Sequence, residues 1–279
     1  MWDTRKLLLT AIVFYYKMTV GSAKLMDMAP DAVDYTYNGC RKEAMEKFIN
    51  LGLLRQELNN NEEFQKAWDH ASTDCLKLIP GGTKEHTAAL LAYADGTETF
   101  TKMFDNAVET MGGNVSIYDN DFHFKSLHFL LMDSMLLRST RQCKTLHIVQ
   151  ETKWEAKKGS KVKFGKFTKV YSSYSEVKEM EDLAGLFVFN ITSCFFVNLG
   201  NICRQEGKAL LSPAEVFTVE AVVSIADEIN ESDHTEIVLK HSELDTSDNC
   251  YSLSGSPADV SAQWLVLMLV PLSHFFFNY

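Results

Sequence analysis

The spacing of apolar residues changes once along the chain, near Cys143, and this constrains the fold more than any composition figure. Before that point apolar residues recur every three or four positions. In ETFTKMFDNAVETM, Phe100, Met103, Phe104, Ala107, Val108 and Met111 form one stripe, and Gly112 and Gly113 end it. CRKEAMEKFINLGLLRQEL shows the same period, as does EEFQKAWDHASTDCLKL behind the asparagine run Asn59 to Asn61, which supplies an N-cap. FHFKSLHFLLMDSMLLR is apolar nearly all round and reads as a central helix. After Cys143 come TLHIVQ, KVKFGKF, LFVFNITSCFF, ALLSPAEVFTVEAVVSI and HTEIVLKHS, which are short, rich in β-branched and aromatic residues, and separated by polar turns. With no helical stretch read between them, the expectation is an α+β fold: helices first, then a mostly antiparallel sheet.

Both ends read as processing signals. Arg5 and Lys6, the apolar run Leu7 to Tyr16 and the small residues Gly21, Ser22 and Ala23 follow the order of a secretory leader. At the other end a polar spacer leads to WLVLMLVPLSHFFF, about 14 residues, short of the roughly 20 that span a bilayer. That order suits a glycosylphosphatidylinositol anchor signal with Ser254 as attachment site, and Pro271 is badly placed for a buried helix instead. The expected division is a leader over 1–23, a mature domain over 24–254 (helical over 24–142, β over 143–254) and a removed anchor signal over 255–279. The expected location is the extracellular face of the plasma membrane, reached by the secretory pathway.

Six cysteines lie between these signals, and in an oxidising compartment they permit 15 pairings, among which spacing does not choose. Sequons occur at Asn114, Asn190 and Asn230, the second within a segment that reads as a buried strand. A net charge of -10 argues against nucleic acid as a partner. No C-x-x-C pair, H-E-x-x-H, Walker loop, G-x-G-x-x-G or G-x-S-x-G is present, so no metal is expected. His123 and His128 stand five apart, off the spacing that puts two ligands on one helix face, and read as core histidines.

The order of blocks is more specific than any one of them. DMAPDAVDYTYNGC, FHFKSLHFLLMDSMLLR, C-x(6)-Q-x-T, KFGKFTKVYS, ITSCF and LLSPAEVFTV together resemble the vertebrate ecto-ADP-ribosyltransferases from about Leu25 to Cys250. FGKFTKVYS is closest to the third paralogue, a branch regarded as catalytically degenerate. The resemblance implies NAD as the substrate and a protein arginine as the acceptor. It also implies a cleft built from an arginine on the first strand, serines after a phenylalanine, and a Glu-x-Glu turn. Breaking the nicotinamide glycosidic bond builds positive charge on the ribose, which the last glutamate of that turn offsets.

Transferred to this chain, the pattern is altered at each element. Gln150, with Thr152 after it, stands at the arginine position and lacks the charge and planar fork that grip phosphate. Phe167 matches, but Lys169 and Tyr171 occupy the serine positions, and Ser172 and Ser173 fit only with a register shift. Anchored on Pro213 and EVF, with Ser212 replacing the first of the usual two prolines, QEGKALLSPAEVFTV places Glu206 at the first glutamate and Lys208 at the catalytic one. Glu206 and Lys208 would share a face on an extended chain. A unit charge about 4 Å from the developing cation is worth roughly 1 kcal/mol in water and about 4 at a protein-surface dielectric, and lysine reverses its sign. The expectation is a lipid-anchored member with little activity that binds a surface ligand; the alternative is an active transferase or NAD glycohydrolase using Glu206. The resemblance further implies disulfides Cys40 to Cys250 and Cys143 to Cys194, leaving Cys75 and Cys203 as a third bridge or two thiols.

Overall fold

A computed structural model describes residues 23–74, 77–138, 142–180, 182–202, 205–227, 232–245, 250 and 253. The leader over 1–22, Cys75, Cys203, Asn230, Ser254 and the anchor signal lie outside the described residues.

After the two-residue strand β1 (Lys24–Leu25), the first half is helical: α1 (Arg41–Met45) with a π turn behind it, α2 (Leu53–Asn60), α3 (Glu62–Asp74), α4 (Lys84–Asp95), α5 (Glu98–Thr110), α6 (Val115–Asn120) and α7 (Lys125–Arg138). Local chemistry starts these helices. Asn61 Oδ1 accepts the Phe64 N–H at 3.0 Å, and Thr97 Oγ1 accepts the Phe100 N–H at 3.2 Å. The carboxylate of Glu57 accepts the Lys125 and Ser126 N–H groups at 2.8 and 3.0 Å and so caps α7. The predicted stripe of α5 buries Phe100, Phe104, Ala107 and Val108, each large side chain contributing roughly 1.5–3 kcal/mol.

The strands are β2 (Lys144–Gln150), β3 (Trp154–Glu155), β4 (Lys161–Val162), β5 (Thr168–Tyr171), β6 (Phe187–Ser193), β7 (Phe196–Asn198), β8 (Lys208–Leu211), β9 (Glu215–Asp227) and β10 (Ser232–Leu244). One sheet runs β4-β9-β10-β6-β2-β5-β8-β7; among the described residues only the β10–β6 pairing within it is parallel, and β1 pairs separately with β3. The α+β expectation therefore holds, with two corrections. A seven-residue helix, α8 (Tyr174–Met180), interrupts the strands, and ALLSPAEVFTVEAVVSI is two strands broken at Ser212 to Ala214. Proline has no N–H for a ladder, which accounts for the break.

Two apolar cores flank the sheet. One joins the helices to Phe167, Val197 and Leu210 on the β5–β8–β7 end; the other, on the opposite face, gathers Leu146, Ile148, Val170, Phe189, Ile191, Ala209, Leu211, Phe217, Ile237 and Leu239. Disulfides join Cys40 to Cys250 and Cys143 to Cys194. His128 is fully buried within the helical core, whereas His123 is exposed ahead of α7.

Candidate active site

Strand pairing sets which side chains meet. Lys208 opposes Tyr171 and Leu210 opposes Lys169 across β5–β8. Tyr171 in turn opposes His147 on β2, and His147 opposes Asn190 on β6. Directly opposed residues share a face, so Lys208, Tyr171, His147 and Asn190 form one cross-strand row, with Lys169 two residues from Tyr171 on the same side. The alternating burial of β5, with Thr168 and Val170 buried and Lys169 and Tyr171 half-buried, fits this assignment.

The row crosses a boundary. Toward β7 its face is roofed by the helical core; toward β6 it is partly covered, with Val188 and His147 buried, Asn190 and Thr192 half-exposed, and the Tyr174 ring of α8 5.3 Å from the His147 ring. Lys208 and Tyr171 are thus at the rim where the helical layer ends. Beyond the single pair His147–Tyr171, β2 and β5 part, so the sheet is split between the ends carrying Gln150 and Lys169. By alternation Gln150 belongs to the face of Leu146 and Ile148, opposite Phe187. Lys169, Tyr171 and Lys208 are therefore brought together, while Gln150 lies across the split on the opposite sheet face and Glu206 sits exposed in the turn before β8.

The cations of this site have distinct settings. Lys169 Nζ donates to the carbonyl of Ala94 at 2.9 Å and stands 5.2 Å over the Tyr93 ring, at the C-terminal end of α4 where helix carbonyls favour positive charge. Burial pushes its ammonium below the ordinary lysine range; Asp105 and Asp95 draw it back up, and Lys208 lowers it further. Lys208 is half-exposed, and its N–H donates to the Gln205 carbonyl at 3.1 Å to close the turn.

Sequence reasoning missed the supports of this site. Gln205 is buried, and its Nε2 donates to Asp95 Oδ1 at 2.5 Å while its Oε1 has no partner. Together with Lys169, it ties the β5–β8 pair to the end of α4. Gly207 has φ +74° and lies under the carboxylate of Glu176 from α8. Its carbonyl accepts from Ser172 N and Ser172 Oγ at 2.7 and 3.0 Å. Ser172 thus serves the turn through its backbone and hydroxyl. Cavities of about 470 and 480 Å³ lie elsewhere, beside Asp34, Lys163 and Asp245 and beside Glu57 and Lys125 respectively.

Among the described residues no group of three or more His, Cys, Asp or Glu side chains could hold a metal ion. Chemically the row offers two ammonium groups, a phenol and a histidine, with one exposed carboxylate in the adjoining turn.

Comparison with known proteins places this geometry. The family model for NAD:arginine ADP-ribosyltransferases matches residues 26–243, a span that includes every site residue above. Human ecto-ADP-ribosyltransferase 5 is 29% identical over 210 residues, 70% of this chain and 70% of that protein. The rat protein of the same name is 30% identical over 211 residues, 70% and 67% of the two chains. The chicken erythroblast NAD(P)(+)–arginine ADP-ribosyltransferase is 29% identical over 210 residues, 70% and 67%. In fold, a mutant of the eucaryotic mono-ADP-ribosyltransferase ART2.2 in complex with NADH superposes with a TM-score of 0.64 at 23% identity, covering 82% of this chain and 99% of that one. The chain is a member of the NAD:arginine ADP-ribosyltransferase family.

Proposed function

We propose that this chain is an extracellular, lipid-anchored family member whose NAD cleft has lost most of its power to cleave, and which acts by binding a surface ligand. One observation carries the reading: Lys208, which the family pattern puts at its catalytic glutamate, shares a sheet face with Lys169, at a serine position, so this face carries two lysines and its cross-strand row has no carboxylate. A cation there opposes the positive charge that develops on the ribose. Losing one preorganised electrostatic group typically costs on the order of 100- to 1000-fold in rate, and here the glutamate, arginine and serine positions are all changed. Support for the extracellular side comes from the ecto-ADP-ribosyltransferase relatives and from two disulfides. Among the described residues no helix is long and apolar enough to cross a membrane. The mature span 24–254 and the anchor at Ser254 belong to this proposal.

The second reading, an active NAD–protein-arginine transferase or NAD glycohydrolase, is favoured by the exposure of Glu206 two residues ahead of Lys208. Labelled NAD followed into an arginine-rich acceptor and into free ADP-ribose separates the two. The expected result is no turnover above background; turnover abolished by Glu206→Gln would establish the second reading. Lys208→Glu combined with Gln150→Arg is expected to raise NAD affinity, read by calorimetry. Unchanged affinity would mean that the split between β2 and β5 is not a nucleotide site.

A further inference from the structure

We propose that Asn190 carries an N-linked oligosaccharide that stands on the same sheet face as the candidate site and screens Lys208 from macromolecules. The proposal rests on the secretory reading above. It starts from a reversal of the sequence expectation. Asn190 lies in a central strand, but its side chain is not in the core: Phe189 and Ile191 on either side are fully buried, while Asn190 and Thr192, the acceptor and the threonine of the sequon, are half-exposed on the other face. Their cross-strand neighbours on β10, Val238 and Lys240, are half-exposed and exposed. The sequon is thus on the solvent-facing side of the strand, next to half-exposed Val238 and exposed Lys240, although Val188 two residues away on the same face is buried.

The amide keeps a donor after modification. Asn190 Nδ2 donates to Glu236 Oε1 at 3.0 Å. Transfer from a lipid-diphosphate-linked oligosaccharide forms the Nδ2–C1 bond as the C1–O bond to diphosphate breaks. The amide loses one proton and the lipid diphosphate leaves as an anion. One N–H remains on Nδ2, enough for a hydrogen bond to Glu236. Transfer onto the extended chain precedes strand pairing, so a central strand is no barrier.

The row Asn190–His147–Tyr171–Lys208 then sets the reach. Three strand spacings separate Asn190 from Lys208, roughly 14 Å at about 4.8 Å per strand. A branched oligosaccharide extends farther than that, and α8, with Tyr174 on His147, is the described element that lies between them on this face. Small molecules would still enter the rim, whereas a folded protein would meet the glycan first.

The test uses the full chain with its own leader, made in eukaryotic cells and digested with peptide-N-glycosidase F in heavy-oxygen water. Residue 190 is expected to appear as heavy-oxygen Asp, and so is residue 114, an exposed sequon at the start of α6 that serves as control. An unmodified Asn190 beside a converted Asn114 overturns this inference alone; both unmodified overturns the secretory reading with it. The screen has its own readout. Acylation of Lys208 by a polyethylene-glycol-bearing ester should be about threefold or more slower in the glycosylated chain than in Asn190→Gln, with a small acetylating ester indifferent to the change. Equal rates with the large ester, or with enzymatically deglycosylated protein, would remove the screening role.

Discussion

His128 shows how one side chain can make the whole fold sensitive to acid. Both ring nitrogens are committed inside the helical core: Nε2–H donates to the Val33 carbonyl at 2.8 Å and Nδ1 accepts from the Tyr37 hydroxyl at 3.0 Å. That pattern needs neutral imidazole, and burial pushes the pKa down to about 3. In the unfolded chain the ordinary value is about 6.5. Between the two the unfolded state binds the extra proton, so the stability that neutral His128 allows is fully present above pH 6.5 and is lost as pH falls toward 3. At 1.36 kcal/mol per pH unit the total is at most about 5 kcal/mol. Urea unfolding of wild type and His128→Gln at pH 7 and pH 4 checks this. The variant should be less stable at pH 7, with a shallower decline on acidification. Parallel declines in the two proteins would assign the acid sensitivity to other groups.

Among the elements, the turn that delivers Lys208 is the most constrained. Gly207 adopts φ +74°, its carbonyl is bonded to Ser172, and an added Cβ would come within 2.4 Å of Glu176 Oε2. The Glu176 tip is exposed and can move aside, so backbone strain dominates the cost of Gly207→Ala, roughly 1–2 kcal/mol. Adding Glu176→Ala should recover only a minor part of that loss in denaturant melts; full recovery would mean that crowding, not φ, requires the glycine. Period-two alternation within β5 puts Lys169 and Tyr171 on one face, with apolar Val170 between them, but the register that brings Lys208 beside Tyr171 came from the structure, and Glu206, expected to share a face with Lys208, lies in the turn before β8. α8 was not legible: YSEVKEM is only seven residues, and its Val177 is buried without an apolar stripe around it. The Gln205–Asp95 contact was equally hidden, since it spans 110 residues and joins two polar side chains that carry no periodic signal. Nor did alternation reveal that Asn190 faces outward, because aromatic residues on both sides made the whole segment read as buried.

Across the whole molecule, apart from β1 and α8, helices and sheet come from separate halves of the chain, and among the described residues the longer disulfide between its ends is Cys40–Cys250. It spans a sequence separation of 210 residues with Cα atoms 5.7 Å apart, whereas Cys143–Cys194 spans 51 between adjacent strands. On the helical side, Cys40 precedes Arg41, whose guanidinium makes a two-pronged contact with the buried Asp133 of α7 at 2.5 and 2.8 Å. Asp133 also accepts from His86 Nε2 at 2.8 Å, so the bridge ends on a fixed part of the helical core rather than on a loose terminus. In the chain-entropy account the long loop stabilises by about 5 kcal/mol and the shorter one by about 4. Against the 5–15 kcal/mol of a typical domain, loss of either is severe. Cys40→Ser with Cys250→Ser should therefore lower the unfolding free energy in urea by about 5 kcal/mol, and the Cys143/Cys194 pair of serines by slightly less. A loss under about 1 kcal/mol for the first pair would show that the unfolded chain already keeps its ends together, in which case the helical and β halves remain associated after the native packing is gone.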